Sequence, residues 1–167
     1  MGKLTNEELL KKINDKFKDS VTVLGEPFGL VTLETGREQV IEVLTWFKNE
    51  SSLQFNYLTD ITAIHYPEQE KSFGVIYHLH SLTNNVRVRL KVFLNGDDVH
   101  IPTATVVWDG ANWMERETYD FFGIIFDGHP DLRRILNVDD MEAFPMRKEH
   151  PLEDPNRVDK KDYFFGR

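Results

Sequence analysis

From Val86 to Val92 the chain alternates without a break: Val86, Val88, Leu90 and Val92 fall on one side, Arg87, Arg89 and Lys91 on the other. Side chains along a β-strand point to opposite faces with period two, so this run describes a strand with one face in a core and the other outside it. A chain containing such a strand needs a sheet that is packed on one side. The turn Thr83-Asn84-Asn85 connects it to Phe73–Leu82, rich in aromatic and branched residues, and predicts an antiparallel neighbour.

Helices to cover that sheet are also legible. Thr5 and Glu8 stand at capping-box spacing, and Leu9, Leu10, Ile13 and Phe17 then recur on one helical face. Two short apolar runs, Val21–Leu24 and Leu30–Leu33, flank Gly25, Pro27 and Gly29 and predict a hairpin. Thr35 and Glu38 repeat the capping spacing ahead of Val40, Ile41, Val43, Leu44 and Phe47, a second amphipathic helix. Leu58, Ile61 and Ile64 mark a strand over Tyr57–Tyr66, and a shorter strand is expected near Thr103–Trp108. Asn112 and Glu115 again have capping spacing, predicting a helix through Trp113–Phe122 that stops at Gly123.

The predicted order is helix, two strands, helix, three or four strands, helix. Tight turns between strands favour an α+β fold with an antiparallel-dominated sheet over a doubly wound parallel one. This domain spans residues 1–128. Beyond it, residues 129–167 carry four of the seven prolines (Pro130, Pro145, Pro151 and Pro155) and no sustained period, and read as an extended partner-binding arm. Its last 19 residues, if extended, reach up to about 60 Å, and end near an aromatic anchor, Tyr163-Phe164-Phe165.

Composition removes several functions. With 20 basic and 28 acidic residues, a net of -8, a sequence-independent grip on phosphate backbones is disfavoured and nucleic acid is not an expected partner. No run approaches the roughly 20 apolar residues that span a bilayer, and the N-terminus lacks an apolar signal core, so a soluble, cytoplasmic chain is expected. The absence of cysteine excludes thiolate-held iron–sulfur clusters, cysteine zinc sites, disulfides and thiol nucleophiles.

Few residues invite chemistry. His78 and His80 share one face of a strand and offer two imidazoles to a metal, but no third ligand stands nearby, so a stand-alone metal-dependent enzyme is the least favoured reading. Glu115 and Glu117 lie two apart on a helix and point about 200° apart, too divergent for shared acid–base work. Neither a phosphate-cradling glycine loop nor a nucleophile elbow occurs. The stripe Arg87, Arg89, Lys91 reads equally as a solvated face or as a surface that meets an acidic neighbour.

One segment is denser in charge and aromatics than the rest, a mixture suited to protein interfaces. It runs Glu115-Arg116-Glu117-Thr118-Tyr119-Asp120-Phe121-Phe122-Gly123-Ile124, then Phe126-Asp127-Gly128-His129-Pro130-Asp131-Leu132-Arg133-Arg134-Ile135-Leu136, then Pro145-Met146-Arg147-Lys148-Glu149-His150-Pro151-Leu152. Pro130 fixes a turn, Asp131 is placed to cap the residues after it, and the arginines suit bidentate pairing with carboxylates of a partner.

This string closely resembles the signature of the C subunit (30 kDa subunit) family of respiratory complex I, NADH:quinone oxidoreductase. That signature reads approximately ERExYDxFGI, FxGHPDLRRIL, and a stretch ending PLRKDFPL. Two departures stand out: Ala143-Phe144, where the family commonly has Gly-His, and His150, where it has Phe.

The resemblance implies a non-catalytic assembly subunit of the peripheral arm of this translocase, on the cytoplasmic side of the bacterial inner membrane. Its main partner would be the D subunit near the quinone-reducing module, with the B subunit and other peripheral-arm subunits beside it and no homo-oligomer. No cofactor is expected in this chain; iron–sulfur clusters, FMN and quinone would belong to neighbouring subunits. The expected partner interface comprises Glu115, Arg116, Glu117, Tyr119, Asp120, Phe122, His129, Pro130, Asp131, Arg133, Arg134, Arg147, Lys148, Tyr163, Phe164 and Phe165. The alternative keeps the scaffold but places it in a membrane-bound hydrogenase or a ferredoxin-driven relative.

Overall fold

The computed structural model describes residues 4–150 of the 167. Along the chain run α1 (Asn6–Phe17), β1 (Val21–Gly25), β2 (Val31–Thr35), α2 (Val40–Asn49), β3 (Tyr57–His65), β4 (Phe73–Ser81), β5 (Val86–Leu94), β6 (His100–Pro102), α3 (Ala111–Phe122) and β7 (Ile125–Asp127). The first five strands form one sheet in the order β1-β2-β5-β4-β3, while β6 and β7 make a separate parallel pair. All neighbours in the large sheet are antiparallel except β2 and β5. A helix and a hairpin intervene between those two, which lets the chain re-enter the sheet running the same way. The fold is therefore α+β with a mixed, mostly antiparallel sheet.

The alternation in β5 does what its pattern dictates. Val86, Val88, Leu90 and Val92 are buried, whereas Arg87 is exposed and Arg89 and Lys91 are half-buried. In register with them, Val31 and Leu33 of β2 and Val75, Tyr77 and Leu79 of β4 complete the apolar face. Leu9, Ile13 and Phe17 of α1 join the same core, as do Val40, Val43, Leu44 and Phe47 of α2. Edge-to-face aromatic contacts stitch this core: Phe17 on Trp46 at 5.1 Å and Phe47 on Phe55 at 5.1 Å.

Helix α1 starts as its sequence demands. The Thr5 hydroxyl accepts from the Glu8 amide at 3.2 Å and the Glu8 carboxylate accepts from the Thr5 amide at 3.0 Å, a reciprocal cap that contributes about 1 kcal/mol. Helix α3 ends as expected at Gly123, whose φ of 74° closes the last turn through its amide to Tyr119 O. Helix α3 then lies against β3, where Thr118 Oγ1 donates to Ile61 O at 3.1 Å.

Four sequence expectations need correction. Helix α2 opens at Gln39 without a side-chain cap, because Thr35 is part of β2 and its hydroxyl donates to Ser20 O at 3.0 Å. Asn112 lies inside α3, whose N-cap is Gly110. The strand expected near Thr103–Trp108 is instead β6 at His100–Pro102 followed by a 3-10 turn at Ala104–Val106, opened by the Thr103 hydroxyl accepting from Thr105 N. Lastly, residues 129–150 contain no helix or strand, yet they return onto α3: Met146 N donates to Phe121 O at 3.1 Å and Arg147 Nε to Phe122 O at 2.7 Å. The described half of the expected arm is thus packed on its own domain; Tyr163, Phe164 and Phe165 lie outside the described residues.

Candidate docking surface

The charge-rich segment builds a clasp between α3 and the chain beyond it. At its centre Asp120 is fully buried. Its Oδ2 accepts from three consecutive amides, Ile135 at 3.1 Å, Leu136 at 2.8 Å and Asn137 at 2.9 Å. Its Oδ1 takes Arg134 Nη1 at 2.7 Å and Asn137 Nδ2 at 3.0 Å. Burial alone would raise the pKa of Asp120, but these hydrogen bonds outweigh it and hold the carboxyl well below the usual carboxylate range. The guanidinium of Arg134, itself nearly buried, also reaches the carbonyls of Asp120, Met141 and Ala143. Every charge taken out of water here has a partner, the condition under which a buried pair is tolerated.

A second layer surrounds it. Arg116 donates to the carbonyls of Arg133 and Arg134 at 3.2 and 3.0 Å. Phe144, one of the two departures from the family pattern, receives the guanidinium groups of Arg134 at 5.2 Å and Arg147 at 4.7 Å and meets Tyr119 edge-on at 6.0 Å. Gly123 is needed beneath them, since a Cβ there would stand 2.6 Å from Phe144 and Arg147 atoms.

The other end of α3 is anchored by Glu115, fully buried. Thr103 Oγ1 donates to Oε2 at 2.5 Å and Ala104 N to Oε1 at 2.6 Å. Burial is the stronger influence and pushes its pKa up to about 7, against the lowering pull of those two donors. The His129 ring is buried 4.0 Å away. Its tautomer is set by its neighbours: Asp131 N donates to Nδ1 at 3.0 Å, so Nδ1 carries no proton, and Nε2 donates to Asn112 O at 3.1 Å. His129 is therefore a turn-former that ties α3 to residue 131. The hydroxyl of Tyr77 and the indole nitrogen of Trp108 are buried without a hydrogen-bond partner among the described residues.

These positions revise the expected interface. Glu115, Asp120, His129 and Arg134 face inward, each satisfying a group within its own domain, and Phe122 packs in the core. Arg116, Tyr119 and Arg147 are half-buried and engaged in the clasp. Glu117, Pro130, Asp131, Arg133 and Lys148 are exposed. Beside them are large apolar residues absent from the expected set: Trp113, Leu136, Val138 and Met146, between 54% and 66% exposed. Trp113 carried a signal, since an aromatic two residues before Glu115 lies on the opposite face of α3 and the burial of one exposes the other. Val106 is exposed beside Trp113 and Pro130, around a shallow recess.

The two-histidine reading finds little. His78 has Asp60 at 3.7 Å, and its pKa is lowered by burial and by the charge of Arg89. Among the described residues no three histidine or carboxylate side chains are grouped to hold a metal ion.

Comparison with solved structures defines the class first. The fold is that of the trypsin-resistant fragment of Nqo5, with a TM-score of 0.65 and 32% identity over 75% of this chain and 98% of that one. A chain of the membrane-bound sulfane sulfur reductase, an archaeal respiratory membrane complex, shares the fold at a TM-score of 0.75 and 24% identity over 94% of this chain and 98% of that one. The chain belongs to the family of the respiratory-chain NADH dehydrogenase 30 kDa subunit, whose model matches residues 33–156. It is similar to the C subunit of the NADH-quinone oxidoreductase of Geobacter sulfurreducens, 43% identical over 153 residues, 91% of this chain and 93% of that relative. A C subunit of the same oxidoreductase in Rhizobium meliloti is 44% identical over 144 residues, 86% of this chain and 78% of its own.

Proposed function

We propose that this chain is a non-catalytic assembly subunit of the peripheral arm of a proton-translocating NADH:quinone oxidoreductase, docked on the D subunit on the cytoplasmic side of the membrane. The observation that carries the reading is the outward side of the α3 clasp. Trp113, Leu136, Val138 and Met146 are large and apolar yet exposed, on a segment that buried ionic contacts make rigid. Exposed aromatic and aliphatic anchors on a preorganised frame are the makeup of a stable protein interface. Family membership supplies the complex, and the D subunit is the neighbour proposed for this surface.

Attachment through partners also suits the described residues, among which no helix is long and apolar enough to cross a membrane. In this reading iron–sulfur clusters belong to neighbouring subunits, since this chain has no cysteine to hold one, and FMN and quinone are proposed to lie there too.

The test is affinity purification of the tagged full chain from native membranes, with identification of what accompanies it. D and B subunits should co-purify, and Trp113→Ala should weaken retention of the D subunit by about tenfold or more, as expected for an aromatic hot spot. A chain isolated alone, or one that turns over quinone by itself, would overturn the proposal. Co-purification of a nickel-site hydrogenase subunit would instead place the scaffold in the related hydrogenase.

A further inference from the structure

A second feature lies towards the other edge of the sheet. β3, against which α3 lies, forms one edge, while β1 and β2 lie at the opposite one. There, between the start of α1, the β1–β2 turn and the first residues of β5, is a cavity of about 700 Å³. We propose that this cavity and its rim residue Phe28 form a second docking site, which takes an acidic segment of another subunit: its carboxylates on Arg87 and Arg89, an apolar pocket over Phe28.

Phe28 has no role in the fold that its position would explain. Its side chain is fully exposed, and its backbone sits at φ 57°, ψ 30°, a left-handed conformation uncommon for a bulky residue. The turn that imposes this conformation is pinned. Gly29 N donates to Glu26 O at 3.0 Å and Leu30 N to Pro27 O at 3.1 Å, and Asn6 Nδ2 ties both Glu26 Oε2 at 2.8 Å and Gly29 O at 3.2 Å to α1. An aromatic displayed outward on a braced, strained turn is the arrangement that strain at functional sites and interface hot spots share.

The cavity wall supplies the charge. Arg87 and Arg89 both line it. The arginines with ion pairs among the described residues are Arg37, Arg133, Arg134 and Arg147, so neither wall guanidinium has a carboxylate there. The Nε of Arg89 is already out of water with no hydrogen-bond partner among the described residues. A buried N–H donor without an acceptor is costly, and a carboxylate that enters the cavity beside this guanidinium offers it one. Across the register His78 stands opposite Arg89, with the Asp60 carboxylate 3.7 Å from its ring on the far side from the cavity strand.

In a chain of net charge -8 this is a local basic island, complementary to an acidic peptide and too small for a polyanion. The apolar rim of Pro27, Phe28 and Leu30 favours a protein segment over a bare inorganic anion. The site stands on this geometry whichever neighbour occupies the Trp113 surface.

The test places a photoreactive benzophenone side chain at Phe28, and separately at Trp113, in the full chain assembled in native membranes. The Phe28 probe should crosslink to a segment of another subunit that contains aspartate or glutamate. Adducts confined to lipid, to residues 151–167 of the same chain, or to no partner at all would overturn the proposal. The Trp113 probe reports the first surface independently, so a failure at either position is read without the other.

Two variants add a quantitative arm. Phe28→Asn, a residue that tolerates the left-handed region, should leave the thermal midpoint equal to or above that of the parent. It should nevertheless weaken retention of the crosslinked partner by about tenfold, and Arg87→Ala with Arg89→Ala should do the same with a weaker salt dependence than the parent. Retention within about twofold of the parent for both variants would refute the site.

Discussion

Replacing Asp120 by Asn tests whether the α3 clasp is held by charge. The substitution keeps the shape but removes the ion and one acceptor oxygen, while Oδ1 and Oδ2 between them serve five donors. Hydrogen bonds to a charged group contribute about 1.5–3 kcal/mol each, and breaking one side of a buried pair costs about 3–5 kcal/mol because the other charge is stranded. Here the stranded group would be Arg134, whose side chain is only 8% exposed.

Much of that loss should appear locally, since residues 134–146 can leave α3 without opening the main core. The assay is amide hydrogen exchange in the full chain at Ile135, Leu136 and Asn137, the three amides that Asp120 accepts. A loss of about 3–5 kcal/mol corresponds to roughly 10² to 10³·⁵-fold faster opening, with a much smaller effect at Val88 or Leu90 in the buried sheet. Arg134→Met added to Asp120→Asn should recover part of the loss, because the orphaned cation is gone. If the three amides exchange within about threefold of the parent, the carboxylate does not hold the clasp and the reasoning fails.

Glu115 should make the fold sensitive to pH in the opposite sense from Asp120. Its folded pKa of about 7 lies above the ordinary 4.5, so the folded state holds the proton more tightly; stability is full below pH 4.5 and falls as pH rises through about 7, by about 3 kcal/mol in total. Urea denaturation at pH 5 and pH 7.5 should show this fall in the parent and little of it in Glu115→Gln; equal slopes would refute it. For Asp120 the depressed pKa gives stability that is present above the ordinary aspartate range and lost only as pH falls below it, so acid unfolding should shift toward higher pH midpoints when Asp120→Asn is compared with the parent. Gly123→Ala places a Cβ 2.6 Å from Phe144 and Arg147 at a φ of 74° and should cost about 1–3 kcal/mol; a thermal midpoint unchanged within 1 °C or so would count against the close packing of that corner.

What was legible in the sequence was local. The β5 alternation and the Thr5–Glu8 cap each carry their whole signal within a few residues, and both appear as read. The spacing of Thr35 with Glu38, and of Asn112 with Glu115, carried the same local signal and misled. Thr35 is claimed by its strand and by Ser20 O, and Glu115 by Thr103 and Ala104 from another element. The parallel pairing of β2 with β5, 57 residues apart in the register of Val31 with Val88, depends on a long-range closure that no short pattern encodes. Charge was misread for a related reason: an acid is placed at the surface by default, and only its partner reverses that. Asp120 and Arg134 are 14 residues apart, with a turn between them, so the pairing is invisible to helical spacing.

The inward turn of these residues changes what the family-like string means physically. Asp120 is occupied by Arg134 and the amides of residues 135–137, Glu115 by Thr103 and Ala104, and Gly123 by the close approach of Phe144 and Arg147. A partner cannot read groups already satisfied, so the string specifies a joint, and the docking proposed above assigns recognition to residues that the joint presents without using. Trp113 and Glu117 project from the opposite side of α3, and Leu136 comes two residues after the second of the carbonyls that Arg116 holds. The joint thus lowers the ordering cost of the outer residues before any partner arrives, which is how a short, strand-free segment can serve as a preorganised contact surface.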